Sequence, residues 1–434
     1  MKKNSAKVIL MLLFTFLIIC TQGCGPYRIK PANNELKYSE SKKESTKSLN
    51  IIPENGSEFD IYEDKRRICV IENKGIINEI MNGINHGKVE NMEAGDILKD
   101  NRTYKSILTT GDGHKIDIYI LNDTLHEKGI AAVGNKVVEV DYDIIRYIDS
   151  IKEFKNVNLD IKNDVFALFK KYGWTVDFMI NTMEVKLPQS FMHSAGEYPV
   201  KIYWAYNNEL SKNIGFDFKD CLGKTVTAEI YRLREPLPEF LKPRKEARGI
   251  VIRDKGSIAG AYIDAGRHDC FACSLNRKNL EQVTGKSFDK WVQGFINYED
   301  RTEIKISKMK PEEVIKEYFN AVNKHDRDMI FSCLTMKNLC SYLSSNMDNR
   351  YLYNKNEKDA FYDGYGNIKS VKLISVKRME NTGNPGNVLE YEVETDYKFD
   401  KPITASDGVQ PRFILLRKES EKSGWKIDGI GTGP

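Results

Sequence analysis

His268-Asp269-Cys270-Phe271-Ala272-Cys273 places one imidazole and two thiols within six residues. It is the densest reactive cluster in the chain. H-x-C-x-x-C offers three groups of the kind that hold zinc, and paired thiols can cycle with a disulfide. The spacing argues against both. On a strand, His268 and Cys270 share a face while Cys273 points to the other. No second knuckle follows at zinc-ribbon spacing, because the next cysteine is Cys333. A redox pair belongs at a helix N-terminus, which lowers a thiol pKa, whereas the alternation here predicts strand or turn. Structural cysteines or a modest disulfide are the expectation. His268, Cys270 and Cys273 stay as weak metal or redox candidates, and no cofactor is expected.

The other reactive residues read as structural. Cys333 and Cys340 are seven apart, about 10 Å along one continuous helix, which is too far for a disulfide. Buried free thiols are the simpler expectation, although a break between them would permit a bond. His193-Ser194 lacks a nucleophile elbow. Glu390, Glu392, Glu394 and Asp396 would share one strand face opposite Tyr391 and Val393, as on a solvated sheet. With Asp359 and Asp363 they form the loose acidic cluster that a hydrolase reading would use. Tyr351, Tyr353, Phe361, Tyr362 and Tyr365 lie in a looser stretch that could rim a binding surface. Trp174, Trp204, Trp291 and Trp425 fall in periodic segments and are expected in cores. No catalytic residue is assigned.

The elements that must carry these residues begin with a targeting pattern. Lys2, Lys3 and Lys7 precede an apolar run, Val8 to Ile19, and then Thr21-Gln22-Gly23-Cys24. A basic start, a short apolar core and a small residue before a cysteine form an export signal. The core is too short to span a bilayer comfortably. The pattern resembles a bacterial lipoprotein signal, with lipidation at Cys24 and cleavage after Gly23. It departs from that type at Thr21, where leucine is usual. Removing residues 1–23 removes three lysines and no acid, taking the formal charge from +4 to +1. That balance gives no argument for nucleic acid. The expected place is the extracytoplasmic face of the cell membrane, with an envelope protein or wall ligand as partner.

Residues 24–57 read as the lipidated cysteine and a polar, proline-punctuated tether. Residues 58–156 read as a small α+β domain. Its signals are a helix over Lys74–Asn85 and hairpins around Gly111-Asp112-Gly113 and Gly134-Asn135. Residues 157–305 form a second α+β domain, with a helix over Asp164–Tyr172, strands at Trp174–Leu187 and Val226–Leu233, and a hairpin around Asp254-Lys255-Gly256. Residues 306–434 open with a helix at Lys310-Pro311-Glu312-Glu313, where proline and acids suit the first turn. Asp326 starts a second helix. Four strands follow, at Val371–Lys377, Leu389–Phe399, Arg412–Arg417 and Trp425–Ile430. That order suits a cone of helices on a curled antiparallel sheet, enclosing a pocket.

Two regions carry family resemblances. Phe169-Lys170-Lys171-Tyr172-Gly173-Trp174, Gly215-Phe216-Asp217-Phe218, Leu222-Gly223-Lys224 and Ile258-Ala259-Gly260 resemble the DUF4830 type. So do Asp264-Ala265-Gly266-Arg267-His268 and Thr284-Gly285-Lys286-Ser287. Pro311-Glu312-Glu313-Val314, Tyr318-Phe319 and Trp425-Lys426-Ile427-Asp428-Gly429 resemble the DUF4829 type. The first resemblance implies an exported Firmicute protein. The second implies an NTF2-like C-terminal domain. Together they imply a Clostridium-like, Gram-positive surface lipoprotein with no transferable catalytic residue. A non-enzymatic binding module is the expectation, with an envelope hydrolase or a metal or thiol-redox protein as alternatives.

Overall fold

The computed structural model describes residues 27–29, 48–63, 65–72, 74–100, 102–123, 128–140, 145, 148, 161–241, 247–265, 271–346, 365–380, 385–401 and 406–432. Contacts divide the chain into two units. One comprises residues 1–163 with 177–181, the other residues 164–176 with 182–434.

The first unit is a mainly antiparallel sheet in the order β1-β3-β2-β5-β6-β7-β8-β4. Its strands are β1 (Tyr27–Ile29), β2 (Gly56–Glu63), β3 (Arg66–Ile71), β4 (Lys88–Val89), β5 (Thr103–Thr110), β6 (Lys115–Asp123), β7 (Lys128–Val133) and β8 (Lys136–Val140). Both expected hairpins form, β5–β6 and β7–β8. Strand alternation gives the sheet two faces. Helix α1 (Lys74–Asn85) lays Ile76, Ile77, Ile80, Met81 and Ile84 on one of them, against Phe59, Ile61, Leu108 and Ile118. Helix α2 (Ala94–Lys99) lays Ile97 on a smaller cluster with Leu121, Ile130, Ala132 and Val137.

The region read as a tether contributes to this unit. β1 pairs in parallel with β3. The buried Asn85 side chain accepts from the Ile51 and Ile52 amides at 2.8 and 2.9 Å and donates to the Ile52 carbonyl at 2.9 Å. A buried amide satisfied on both sides fixes the chain that it holds.

The second unit carries two open four-stranded sheets. The first runs β12-β11-β10-β9, from β9 (Val176–Lys186), of which residues 177–181 count with the first unit, β10 (Thr225–Leu233), β11 (Arg248–Asp254) and β12 (Ser257–Asp264). It is flanked by α3 (Asn163–Lys171) and α4 (Val200–Lys212). Helix α4 is buried on most sides: Ile202, Tyr203, Trp204, Ala205, Tyr206 and Leu210 are all enclosed. α5 (Leu280–Thr284), α6 (Phe288–Val292) and α7 (Arg301–Ser307) lead to α8 (Pro311–Lys324), α9 (Arg327–Ser332) and α10 (Met336–Asn346). The last sheet runs β13-β14-β15-β16, from β13 (Ile368–Arg378), β14 (Val388–Phe399), β15 (Gly408–Ser420) and β16 (Gly424–Gly431).

That last sheet corrects the expected fold class. The α+β multidomain architecture holds, but the NTF2-like cone does not. Each strand pairs with its sequence neighbour, which leaves β13 and β16 as two edges. The sheet is open, neither closed nor curled around a pocket. One face buries Tyr391, Val393, Thr395 and Tyr397, while Glu394 and its neighbours Glu392 and Asp396 lie on the other. Helix α8 presents Val314, Ile315, Tyr318, Phe319 and Val322 as its buried stripe.

Candidate functional site

One group of buried ionisable residues in the second unit converges where β15 and β16 meet α7, α9 and the loop before α4. His193 is fixed by its own backbone. Its amide donates to the Phe295 carbonyl at 2.7 Å, and its carbonyl accepts from the Asn297 amide at 2.8 Å. Gly196 follows at φ +80°, and a Cβ there would stand 2.7 Å from the Asp328 carbonyl oxygen at the start of α9. Only glycine suits such a close left-handed approach.

Glu303 comes from α7. Asp300 caps this helix by accepting from the Thr302 and Glu303 amides at 2.8 and 3.1 Å. Lys426 comes from β16. The α9–α10 connection is stitched to that strand: the Thr335 amide donates to the Ile427 carbonyl and the Ile427 amide to the Cys333 carbonyl, both at 2.8 Å. Glu419 comes from β15, where one carboxyl oxygen accepts from the Met336 amide at 2.8 Å. This carboxyl serves the first turn of α10, whose amides have no partner within the helix.

The Lys426 ammonium donates to Glu303 Oε2 at 2.7 Å and to the Ser332 carbonyl at 2.9 Å. Both side chains of this ion pair are about 5% exposed. Burying two charges is tolerable when each keeps hydrogen bonds. The pair meets that condition only in part, because Glu303 Oε1 has no partner among the described residues. His193 Nδ1 is also buried without one. Its nearest acid, Glu197 Oε2, stands 4.0 Å away, beyond hydrogen-bond reach, and Glu197 instead pairs with Lys201 at 2.8 Å.

Burial pushes the His193 pKa down to about 4, with Lys426 and Lys201 adding to the effect and Glu197 and Asp300 opposing it. Burial pushes the Glu419 carboxyl up to about 7, against the pull of Lys426 and the Met336 amide. Over the whole residue Glu419 keeps some exposure, so enclosure of the carboxyl carries the effect. A cavity of about 20 Å³ lies among these groups. His193, Gly196, Glu303, Ser332, Glu419 and Lys426 contribute its polar lining, and Ile296, Phe331, Leu334 and Leu339 its apolar part.

The profile of DUF4830, a domain of unknown function, matches residues 168–263, and that of DUF4829, a second one, matches residues 312–431. The chain carries both domains. His193 belongs to the DUF4830 domain, Ser332, Glu419 and Lys426 to the DUF4829 domain, and Glu303 to the connector between them. No curated protein matches the chain. A solved structure of a cystatin-like protein from Ruminococcus gnavus ATCC 29149 is similar at 12% identity, covering 48% of this chain and 58% of its own length, with a TM-score of 0.20. The match therefore spans less than two thirds of that protein.

The residues singled out from sequence fall elsewhere. His268 and Cys270, and likewise Cys24, Tyr351, Tyr353, Phe361 and Tyr362, lie outside the described residues. Cys273 is buried, and its residue bridges Ile263 at the edge of β12. Cys333 and Cys340 are buried on either side of the α9–α10 break. Tyr365 packs against Tyr318 and Tyr342, its hydroxyl 3.2 Å from that of Tyr318. Among the described residues no cluster of His, Cys, Asp and Glu could hold a metal ion. No described helix is long and apolar enough to cross a membrane.

Sequence reasoning missed Glu303, Glu419 and Lys426. His193 was noted beside Ser194, whose hydroxyl instead accepts from Asn297 Nδ2 at 3.3 Å. One signal for Lys426 was available: a lysine two positions from Asp428 in an otherwise apolar-patterned strand.

Proposed function

We propose that this chain is a non-enzymatic binding module of the cell envelope, held at the extracytoplasmic face of the membrane by lipid on Cys24. One observation carries the binding-module reading. The buried Glu303–Lys426 ion pair stands beside His193 of the DUF4830 domain and Glu419 of the DUF4829 domain, around a cavity of about 20 Å³. Ligand pockets for small organic molecules run to roughly 300–1,000 Å³, so this constellation serves the joint between two domains rather than a substrate. The anchoring part rests on Lys2, Lys3, Lys7, the apolar run and Gly23-Cys24.

The test expresses the full chain and a Cys24→Ser variant in a Gram-positive host. The expected result is a detergent-phase mature protein beginning at a diacylglycerol-modified Cys24, and an unmodified variant. A wild-type chain of unmodified N-terminal mass would overturn the anchoring. Binding is tested by sedimenting the mature protein with purified cell wall and with membranes stripped of it. Saturable retention on one of them is expected. Retention on neither, together with turnover of wall material by the same preparation, would replace the module with the hydrolase.

A further inference from the structure

We infer that the cavity between His193, Glu303 and Glu419 is a binding site for a single structural water molecule, which joins the DUF4830 domain to the DUF4829 domain. Three observations converge. The cavity measures about 20 Å³, above the roughly 10–15 Å³ that one water needs and far below the room for an organic ligand. Two buried polar atoms on its lining residues, His193 Nδ1 and Glu303 Oε1, have no partner among the described residues. Their side chains are 4% and 5% exposed, so bulk solvent does not serve them.

Each such atom, if left alone, costs the fold its desolvation, and native interiors leave few of them. A water has two protons to donate and two lone pairs to accept with. It can donate to the free Glu303 oxygen while matching either tautomer of a neutral His193. Glu419, also on the lining, supplies a carboxyl oxygen or proton as a further partner. A metal ion does not fit this set. The Lys426 ammonium already occupies the cationic position beside Glu303 at 2.7 Å, and a second cation would meet it at close range. An anion would meet both glutamates.

The bridge would also explain how the Glu303–Lys426 pair endures burial: the carboxylate oxygen that the ammonium does not reach is satisfied by the water. It would therefore be part of the joint between domains, in the way that buried waters commonly are.

High-resolution crystals of the full mature chain, grown near pH 6 and pressurised with xenon in parallel, test this. The expected result is one fully occupied water within hydrogen-bond distance of at least two of His193, Glu303 and Glu419, with no xenon at that place. In His193→Phe the ring should fill the space and the water peak should be lost. Xenon in the wild-type cavity, an anomalous or heavier ion peak there, or side chains rotated to bond each other directly would each overturn it. Should His193→Phe fail to fold, Glu303→Gln provides the second variant. It keeps the shape, and the water should remain with one contact exchanged.

Discussion

His193 and Glu419 line one cavity and resist burial in opposite senses, which yields a pH profile that single substitutions can split. For His193 the folded pKa is lowered from 6.5 to about 4. The fold favours the neutral ring, so its contribution is complete above pH 6.5 and is lost as pH falls through 4. For Glu419 the folded pKa is raised from 4.5 to about 7. The fold favours the protonated acid, so the contribution is complete below 4.5 and is lost as pH rises through 7. Either group then tilts stability by about 3 kcal/mol across its window, at about 1.4 kcal/mol per pH unit. Between pH 4.5 and 6.5 the two slopes oppose each other. From this pair the wild type should be nearly flat there.

Glu419→Gln keeps an acceptor for the Met336 amide and removes one slope. Its stability should climb by about 3 kcal/mol from pH 4 to 6.5. His193→Gln removes the other, and its stability should fall by a similar amount from pH 4.5 to 7. The assay is urea unfolding at half-unit pH steps, followed by tryptophan fluorescence. Trp174, Trp204, Trp291 and Trp425 all lie in the second unit, so the signal reports the part that holds the site. Groups shared by all three proteins, such as Glu197, Asp300, Glu303 and Asp289, cancel in the differences between profiles. Three parallel profiles, or two variants tilting the same way, would refute the opposition.

The remaining predictions concern packing and thiols. Gly424 sits at φ +68° with a would-be Cβ only 2.5 Å from the Ser307 carbonyl. Gly424→Ala should cost roughly 2–4 kcal/mol, against about 1 kcal/mol for Gly256→Ala, where φ is +86° but nothing lies nearby, as read by urea midpoints. Arg253 joins the buried Glu229 at 2.8 Å and Asp164 at 2.7 Å. Arg253→Met takes the cation from the buried Glu229 carboxylate, which keeps the Tyr231 hydroxyl at 2.8 Å, and should lose about 3–5 kcal/mol, measured the same way. Burial pushes the Cys333 thiol up to about 12. Mass mapping after iodoacetamide at pH 8 should find Cys333 unmodified in the folded chain and modified in urea; rapid native labelling would contradict its burial.

Periodicity made most elements legible because most of them bury a regular apolar face. Helix α8 announced its stripe of Val314, Ile315, Tyr318, Phe319 and Val322, and all are buried. The hairpins at Gly113 and Gly256 carried the residues that positive φ demands. The sheet's closure was not legible, because the same alternation suits a curled cone and an open meander. The site was missed for a different reason. Helix α7 spans seven residues and turns Glu303 and Ile306 inward, so its charged member reads as surface and its length escapes a periodicity test. Lys426 hides likewise. Lys426 and Ile427 pair with Arg417 and Leu416 in unbroken register, yet both are buried, where alternation on a half-exposed strand would have put one of them outside. A lone buried charge would be too costly to keep, and a sequence shows each of these residues alone. Their pairing depends on α7 meeting β16 across 123 residues, so the polar joint exists only once the DUF4829 sheet and the connector helix have packed. Exchanging both partners for apolar residues of similar volume, Glu303→Leu with Lys426→Met, therefore separates the roles of charge and packing. Each single change should cost about 3–5 kcal/mol, and the pair much less than their sum. Additive losses in the urea cycle would mean that Glu303 and Lys426 are stabilised by other groups and that the joint is not the ion pair.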